Sequence, residues 1–134
     1  MKQINLSSGL QTLVLLLAIT CLLTACGPAA SPADAITEYL QALADKDQTG
    51  AVSKSCAAWE EQALAEGNSF VNVQVSLEDL ACQVVDETGS DASVTCTGRY
   101  LFSYDAGEDQ ELDLSGRVFS AIKESGEWRM CGYK

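Results

Sequence analysis

Residues 92–104, Ala92-Ser93-Val94-Thr95-Cys96-Thr97-Gly98-Arg99-Tyr100-Leu101-Phe102-Ser103-Tyr104, place apolar side chains at nearly every even position and polar ones at the odd positions. Period two over this length reads as a strand with one face toward a core and one toward water. Working outward, Glu87–Asp91 and Asp105–Gln110 are turn-forming stretches, and strands are expected at Asp79–Asp86, Glu111–Lys123 and, after Glu124-Ser125-Gly126, Glu127–Tyr133. Centring the turns on Gly89, Gly107 and Ser125 sets Cys82 opposite Cys96, Phe102 opposite Leu112, Tyr100 opposite Leu114 and Ile122 opposite Trp128. Even residues then meet even residues throughout. Leu80, Val84, Val94, Val118 and Met130 join one buried face, and Leu101 and Phe119 stand as apolar exceptions on the polar one. A slip of one residue would scramble the two faces, so the pattern predicts a four-stranded antiparallel meander.

Two helices are expected ahead of this sheet. Ser31-Pro32-Ala33-Asp34 carries a capping serine, a proline at the first helical position and an acid three residues after the cap. Ile36, Tyr39, Leu40 and Leu43 follow at helical spacing, and the helix should end near Asp45–Asp47. A second helix is expected from about Gln48–Gly50, with Val52, Cys56, Trp59 and Ala63 as its stripe and Gly67 as its terminator. Val71, Val73 and Val75 then alternate with polar residues in a short strand or extended connector.

The segment before Ser31 has a different character. Thr12–Ala25 is an uncharged apolar run behind Lys2, too short for the roughly 20 residues that cross a bilayer but of the length of a secretory signal. Leu23-Thr24-Ala25-Cys26 resembles the lipobox of bacterial lipoprotein precursors. The resemblance implies a signal peptide over residues 1–25, lipid attachment at Cys26, a linker over 26–31, and a domain over 32–134 held at a cell membrane outside the cytoplasm. Two or more acyl chains anchor stably where one does not. The mature chain would keep seven of the eight basic residues and all nineteen acidic ones, 7 − 19 = −12, which argues against nucleic acid as a partner.

With Cys21 in the signal and Cys26 lipidated, Cys56, Cys82, Cys96 and Cys131 remain, and in an exported domain four cysteines read as two disulfides. The chain has no histidine and no CxxC pair, so no zinc site is expected. The hairpin register pairs Cys82 with Cys96 and leaves Cys56 for Cys131, whose odd position points it away from the helices unless the strand bulges near Gly132 or a helix wraps the sheet edge.

Two helices, an extended connector and a bent meander closing on Gly126-Glu127-Trp128-Arg129-Met130-Cys131 resemble the nuclear transport factor 2-like, or cystatin-like, α+β roll over about Pro32 to Tyr133. The resemblance implies two N-terminal helices packed on a curved four-stranded antiparallel sheet. Enzymes of that fold hold a small molecule between helices and sheet and move protons with an acid and a tyrosine or histidine. Here Tyr39, Trp59, Tyr100, Phe102 and Trp128 are candidates for lining such a pocket, with Tyr104 a further tyrosine and Glu38 or Asp86 the acid. Each aromatic also has an ordinary place in a core, and Glu60, Glu61 and Glu66 read as the wet side of a helix.

The acidic stretch Asp105–Glu111 lacks the alternating spacing of a calcium loop. No nucleophile elbow or phosphate-binding glycine loop is present. The expectation is a non-catalytic, membrane-tethered accessory or binding domain of the cell envelope, without cofactor or metal. It would take either a small ligand in the roll or a protein partner on a patch formed by Leu101 and Phe119. The alternative is a small-molecule enzyme of isomerase or dehydratase type.

Overall fold

A computed structural model describes residues 31–105 and 107–134; the expected signal peptide, Cys26 and the expected linker up to Ala30 lie outside the described residues. Among the described residues three helices precede five strands: α1 (Pro32–Ala44), α2 (Gln48–Ser53), α3 (Glu60–Phe70), β1 (Gln74–Thr88), β2 (Asp91–Ser103), β3 (Gln110–Asp113), β4 (Val118–Glu124) and β5 (Glu127–Tyr133). The sheet is antiparallel in the order β1-β2-β4-β5, and β3 pairs with β2 alone. No helix among the described residues is long and apolar enough to cross a membrane.

The first helix forms for the reasons its sequence carries. Ser31 caps it by accepting the Asp34 amide at 3.1 Å, Pro32 opens it, and Ala35, Ile36, Tyr39, Leu40 and Leu43 bury one face. Asp47 caps α2 by accepting the Gly50 amide at 2.8 Å. A Cβ on Gly50 would sit 2.2 Å from that carboxylate, so the cap requires glycine there.

The expected single second helix is instead two. Residues 54–56 leave the helical path and run beside β5: the Cys56 amide donates to the Met130 carbonyl at 2.8 Å, and the Met130 amide donates to the Lys54 carbonyl at 2.9 Å. Two strand-type hydrogen bonds and the bond from Cys56 to Cys131 outweigh the weak helical preference of Ser53-Lys54-Ser55-Cys56. The chain re-enters a helix at Glu60, and Gly67, expected as a terminator, lies buried inside α3 against Gln48 of α2.

The meander also differs from expectation, in one consequential place. Cys82 does face Cys96, and the first hairpin turns through Gly89-Ser90. The expected strand from Glu111 to Lys123 is broken at Leu114–Arg117, where the Arg117 amide donates back to the Leu114 carbonyl at 3.1 Å. Tyr100 faces Leu112 rather than Leu114, a slip of two that keeps the faces. Across the break the parity reverses, since Val94 faces Phe119 and Ala121 faces Met130. The four-stranded description therefore gives way to five strands. Phe119 and Ala121 enter the core in place of Val118, which is 40% exposed, and of Ile122, which is half-buried.

Ser125 and Gly126 both have positive φ, 51° and 85°, the backbone of a two-residue hairpin turn whose twist matches its strands. Gly98 on β2 has φ 105°, and a Cβ there would lie 2.6 Å from the Glu78 carbonyl oxygen. The register shift between Glu78 and Ala81 beside it bends the β1–β2 ladder. The core lies between α1 and the sheet, where Ile36, Tyr39 and Leu40 meet Val94, Leu114, Phe119 and Met130.

The two disulfides join Cys82 to Cys96 and Cys56 to Cys131. The strand bulges at Cys131-Gly132 as expected, where the β4–β5 register shifts and Gly132 has φ 123°, and the extended segment 54–56 pairs along β5 to bring the Cys56 and Cys131 Cα atoms within 5.2 Å.

Candidate functional site

The helix restart at Glu60 decides which acid reaches the interior. On α3, Ala63, Gly67 and Phe70 are buried, and Glu66 lies three residues after Ala63 and four before Phe70, on the same side. Its carboxylate is half-buried between α1 and β5. The Tyr39 hydroxyl donates to Oε2 at 2.6 Å, and the Tyr133 hydroxyl donates to Oε1 at 2.9 Å. The Trp59 indole N–H points to the Tyr39 oxygen at 3.4 Å, and its ring meets Tyr133 edge-on with centroids 5.7 Å apart. Gly132 lies against that indole with φ 123°, a backbone conformation that favours glycine.

Beside this cluster is a cavity of about 130 Å³. Its floor is apolar and buried, formed by Leu40, Leu43 and Phe70 from the helices and Tyr100, Leu114 and Phe119 from the sheet side. Its mouth is polar and half-buried, with Glu66, Tyr133 and Arg117. Arg117 comes from the turn that breaks the third strand, and its guanidinium carbon lies 4.5 Å from the Tyr133 ring centroid. Below, the Tyr100 hydroxyl donates to the Leu40 carbonyl at 2.7 Å.

Electrostatics keep the phenols neutral. Burial first, and then the Glu66 carboxylate, raises Tyr39 well above the ordinary tyrosine range. Burial, with smaller contributions from Tyr39 and Glu66, does the same to Tyr100. Tyr133 is raised by burial and Glu66, and Arg117 offsets part of that rise. The site thus offers neutral hydroxyl donors already engaged, one carboxylate with both oxygens accepting, and one cation at the entrance.

Of the aromatics proposed from sequence, Tyr39 and Tyr100 line the cavity. Trp59 stands behind Tyr39 and Tyr133. Phe102 meets Phe70 edge-on and Tyr100 at a tilt, and Trp128 is buried elsewhere in the core with Lys123 over its ring. The acids proposed there are not in the site: Glu38 is paired with Lys54 and Asp86 is exposed on the β1–β2 hairpin. Tyr104 is 45% exposed.

The expected surface pair is corrected as well. Phe119 is 1% exposed because the parity reversal turns it inward, leaving Leu101 half-buried by itself on the outer face. Glu66, expected on the wet side of its helix, is instead half-buried between Tyr39 and Tyr133, and Arg117 and Tyr133 escaped the sequence reading. Spacing on a helix restarted at Glu60 would have found Glu66, whereas Arg117 depends on the strand break and carries no pattern of its own.

No protein-family model matches the sequence, and neither does any curated protein. Solved structures do match. A SEC-C motif-containing protein from Rhodopseudomonas palustris superposes with TM-score 0.56 at 21% identity, over 89% of this chain and 84% of that one. A proposed calcium/calmodulin-dependent protein kinase II association domain from Xanthomonas campestris gives TM-score 0.54 at 13% identity, over 81% and 89%. A proposed dehydratase of the NTF2-like family from Streptomyces avermitilis gives 0.51 at 18%, over 74% and 87%. At such identities the likeness is one of fold. The described domain has the nuclear transport factor 2-like fold.

Proposed function

We propose that this chain is a lipid-anchored binding domain of the bacterial cell envelope, which holds a small ligand between its helices and its sheet without transforming it. The observation that carries the reading is the cavity under Arg117, apolar at its base and polar at its mouth, the usual build of a small-molecule site. Its one carboxylate has a tyrosine hydroxyl on each oxygen, so Glu66 acts as a brace between α1, α3 and β5. The two disulfides support an oxidising compartment outside the cytoplasm, and the lipobox at Cys26 supports the anchor. The small-ligand version is favoured over the protein-partner version because Phe119, half of the proposed patch, lies in the core.

Two experiments test the reading. Replacing Cys26 with serine should move a folded, disulfide-bonded protein from the membrane fraction to the soluble one; retention at the membrane would contradict the anchor. A thermal-shift screen of small apolar and amphipathic compounds should give hits on the parent that disappear in Leu112→Trp, which blocks the cavity at its half-buried wall.

A second reading has one observation behind it. The 2.6 Å hydrogen bond between Tyr39 and Glu66 beside the cavity is a pairing that could shuttle a proton, in a fold that the proposed dehydratase shares. In deuterated water such an enzyme would exchange deuterium into the carbon next to the carbonyl of a bound ligand, and Glu66→Gln would stop it. Binding without exchange leaves the non-catalytic reading standing.

A further inference from the structure

We propose that the cavity takes a small carboxylic acid with an apolar body, its carboxylate gripped by the Arg117 guanidinium and its body lying on Leu43, Phe70 and Leu114. This rests on the binding reading above and names the ligand class.

Arg117 is the starting point. In a chain with nineteen acidic residues, the other two arginines are ion-paired, Arg99 with Glu78 and Glu111 and Arg129 with Glu127. Arg117 is half-buried at the cavity mouth and has no ion pair among the described residues. The acid nearest the site, Glu66, is held by Tyr39 and Tyr133. A guanidinium presents five donors in a rigid fork that matches a carboxylate and binds it with two parallel hydrogen bonds.

The same arrangement argues against a cationic ligand. The face of Tyr133, where an ammonium would rest, is already covered by Arg117. Size and polarity restrict the body. About 130 Å³ is near the roughly 150 Å³ of a cavity that accepts benzene, so a ring or a short aliphatic chain fits and a drug-sized molecule does not. The chain's net negative charge does not forbid an anion, since exposed charges beyond about 8 Å are largely screened at physiological ionic strength. The local donor makes the choice.

The test is calorimetric titration of the detergent-solubilised full chain, disulfides intact, with benzoate, its neutral counterpart benzamide, and inorganic phosphate. Benzoate should bind at least tenfold more tightly than benzamide, and phosphate should not displace it. Arg117→Gln should remove that tenfold preference by weakening benzoate far more than benzamide, and Arg117→Lys should fall between. With the unsubstituted protein, benzoate affinity should drop as the pH falls through the ordinary carboxyl range near 4 while benzamide affinity holds. This second measurement decides the matter even if a variant folds poorly.

Equal binding of benzoate and benzamide, or benzoate binding indifferent to Arg117→Gln, overturns the carboxylate assignment while the cavity reading survives. Displacement of benzoate by phosphate overturns the ligand class in favour of a bare anion site. If Leu112→Trp leaves benzoate and benzamide binding intact, or if none of the three probes binds, the cavity reading itself falls and the inference with it.

Discussion

The two edges of the sheet are built in opposite ways. At β5 the edge is covered: residues 54–56 pair along it, Arg129 reaches the Ser53 carbonyl, and Cys56–Cys131 ties the helical side to the last strand. At β1 the edge is bare among the described residues. Residues 83–88 are exposed, with Val85 at 54%, and among the described residues they pair with β2 alone. Cys82–Cys96 therefore lies inside a hairpin that is already paired, whereas Cys56–Cys131 joins parts of the chain 75 residues apart.

The bare edge is not undefended. Asp79, Asp86 and Glu87 line it, and register shifts follow Glu78 and Val84, features that discourage pairing with another strand. One edge stabilises the fold, and the other is tolerated by it.

The sharpest way to break this contrast is to remove the disulfides one at a time and measure denaturant unfolding. Substituting Cys56 and Cys131 with alanine should cost about 4.5 kcal/mol on the chain-entropy argument for a 75-residue separation. Next comes Phe119→Ala, expected to cost about 4 kcal/mol as a fully buried aromatic, against less than about 1 kcal/mol for its exposed neighbour Val118→Ala. The reverse order would restore the even-parity sheet and sink the strand break. Replacing Cys82 and Cys96 should cost about 3 kcal/mol at most, for a separation of 14 already closed by the hairpin. A larger loss here than at Cys56–Cys131 would invert the comparison.

Smaller still is the alkaline response of the packed half. Tyr39 and Tyr100 keep their protons in the folded state at pH values where the unfolded chain releases them near 10. Their contribution is complete below pH 10 and declines above it, by about 1.4 kcal/mol per tyrosine at pH 11. Stability that stays flat from pH 9 to 11 would contradict the buried Tyr39–Glu66 pair. At the bare edge, Val85→Asp should change stability by no more than about 0.5 kcal/mol, and a drop of 2 kcal/mol would mean that the hairpin is packed.

Much of this molecule was legible in the chain. Ser31-Pro32 and Asp47 start helices through hydrogen bonds formed within three residues, and period-two alternation over residues 92–104 builds β2 because a strand exposes alternate faces. A turn near Gly89 brings Cys82 close to Cys96, and the bulge between Val84 and Asp86 completes the register that the two-residue turn alone would leave one residue off. These are local rules, and the sequence carries them in order.

What only the tertiary structure decided lies at junctions where two distant pieces compete for one segment. Cys56 sits on a helical stripe, yet bonding to Met130 and Cys131 pulls residues 54–56 out of the helix. The turn at Leu114–Arg117 reverses the parity of β4, burying Phe119 and delivering Arg117 to Tyr133, and the two-residue turn at Ser125-Gly126 restores it in β5, where Trp128 and Met130 stay buried. The candidate site is assembled from α1, α3, the strand break and β5. Glu66 could be read from helical spacing only once the restart at Glu60 was known, and that restart is set by a contact with β5. Local hydrogen bonds choose the elements, but the long-range ones choose where an element stops, and the site stands on those stops.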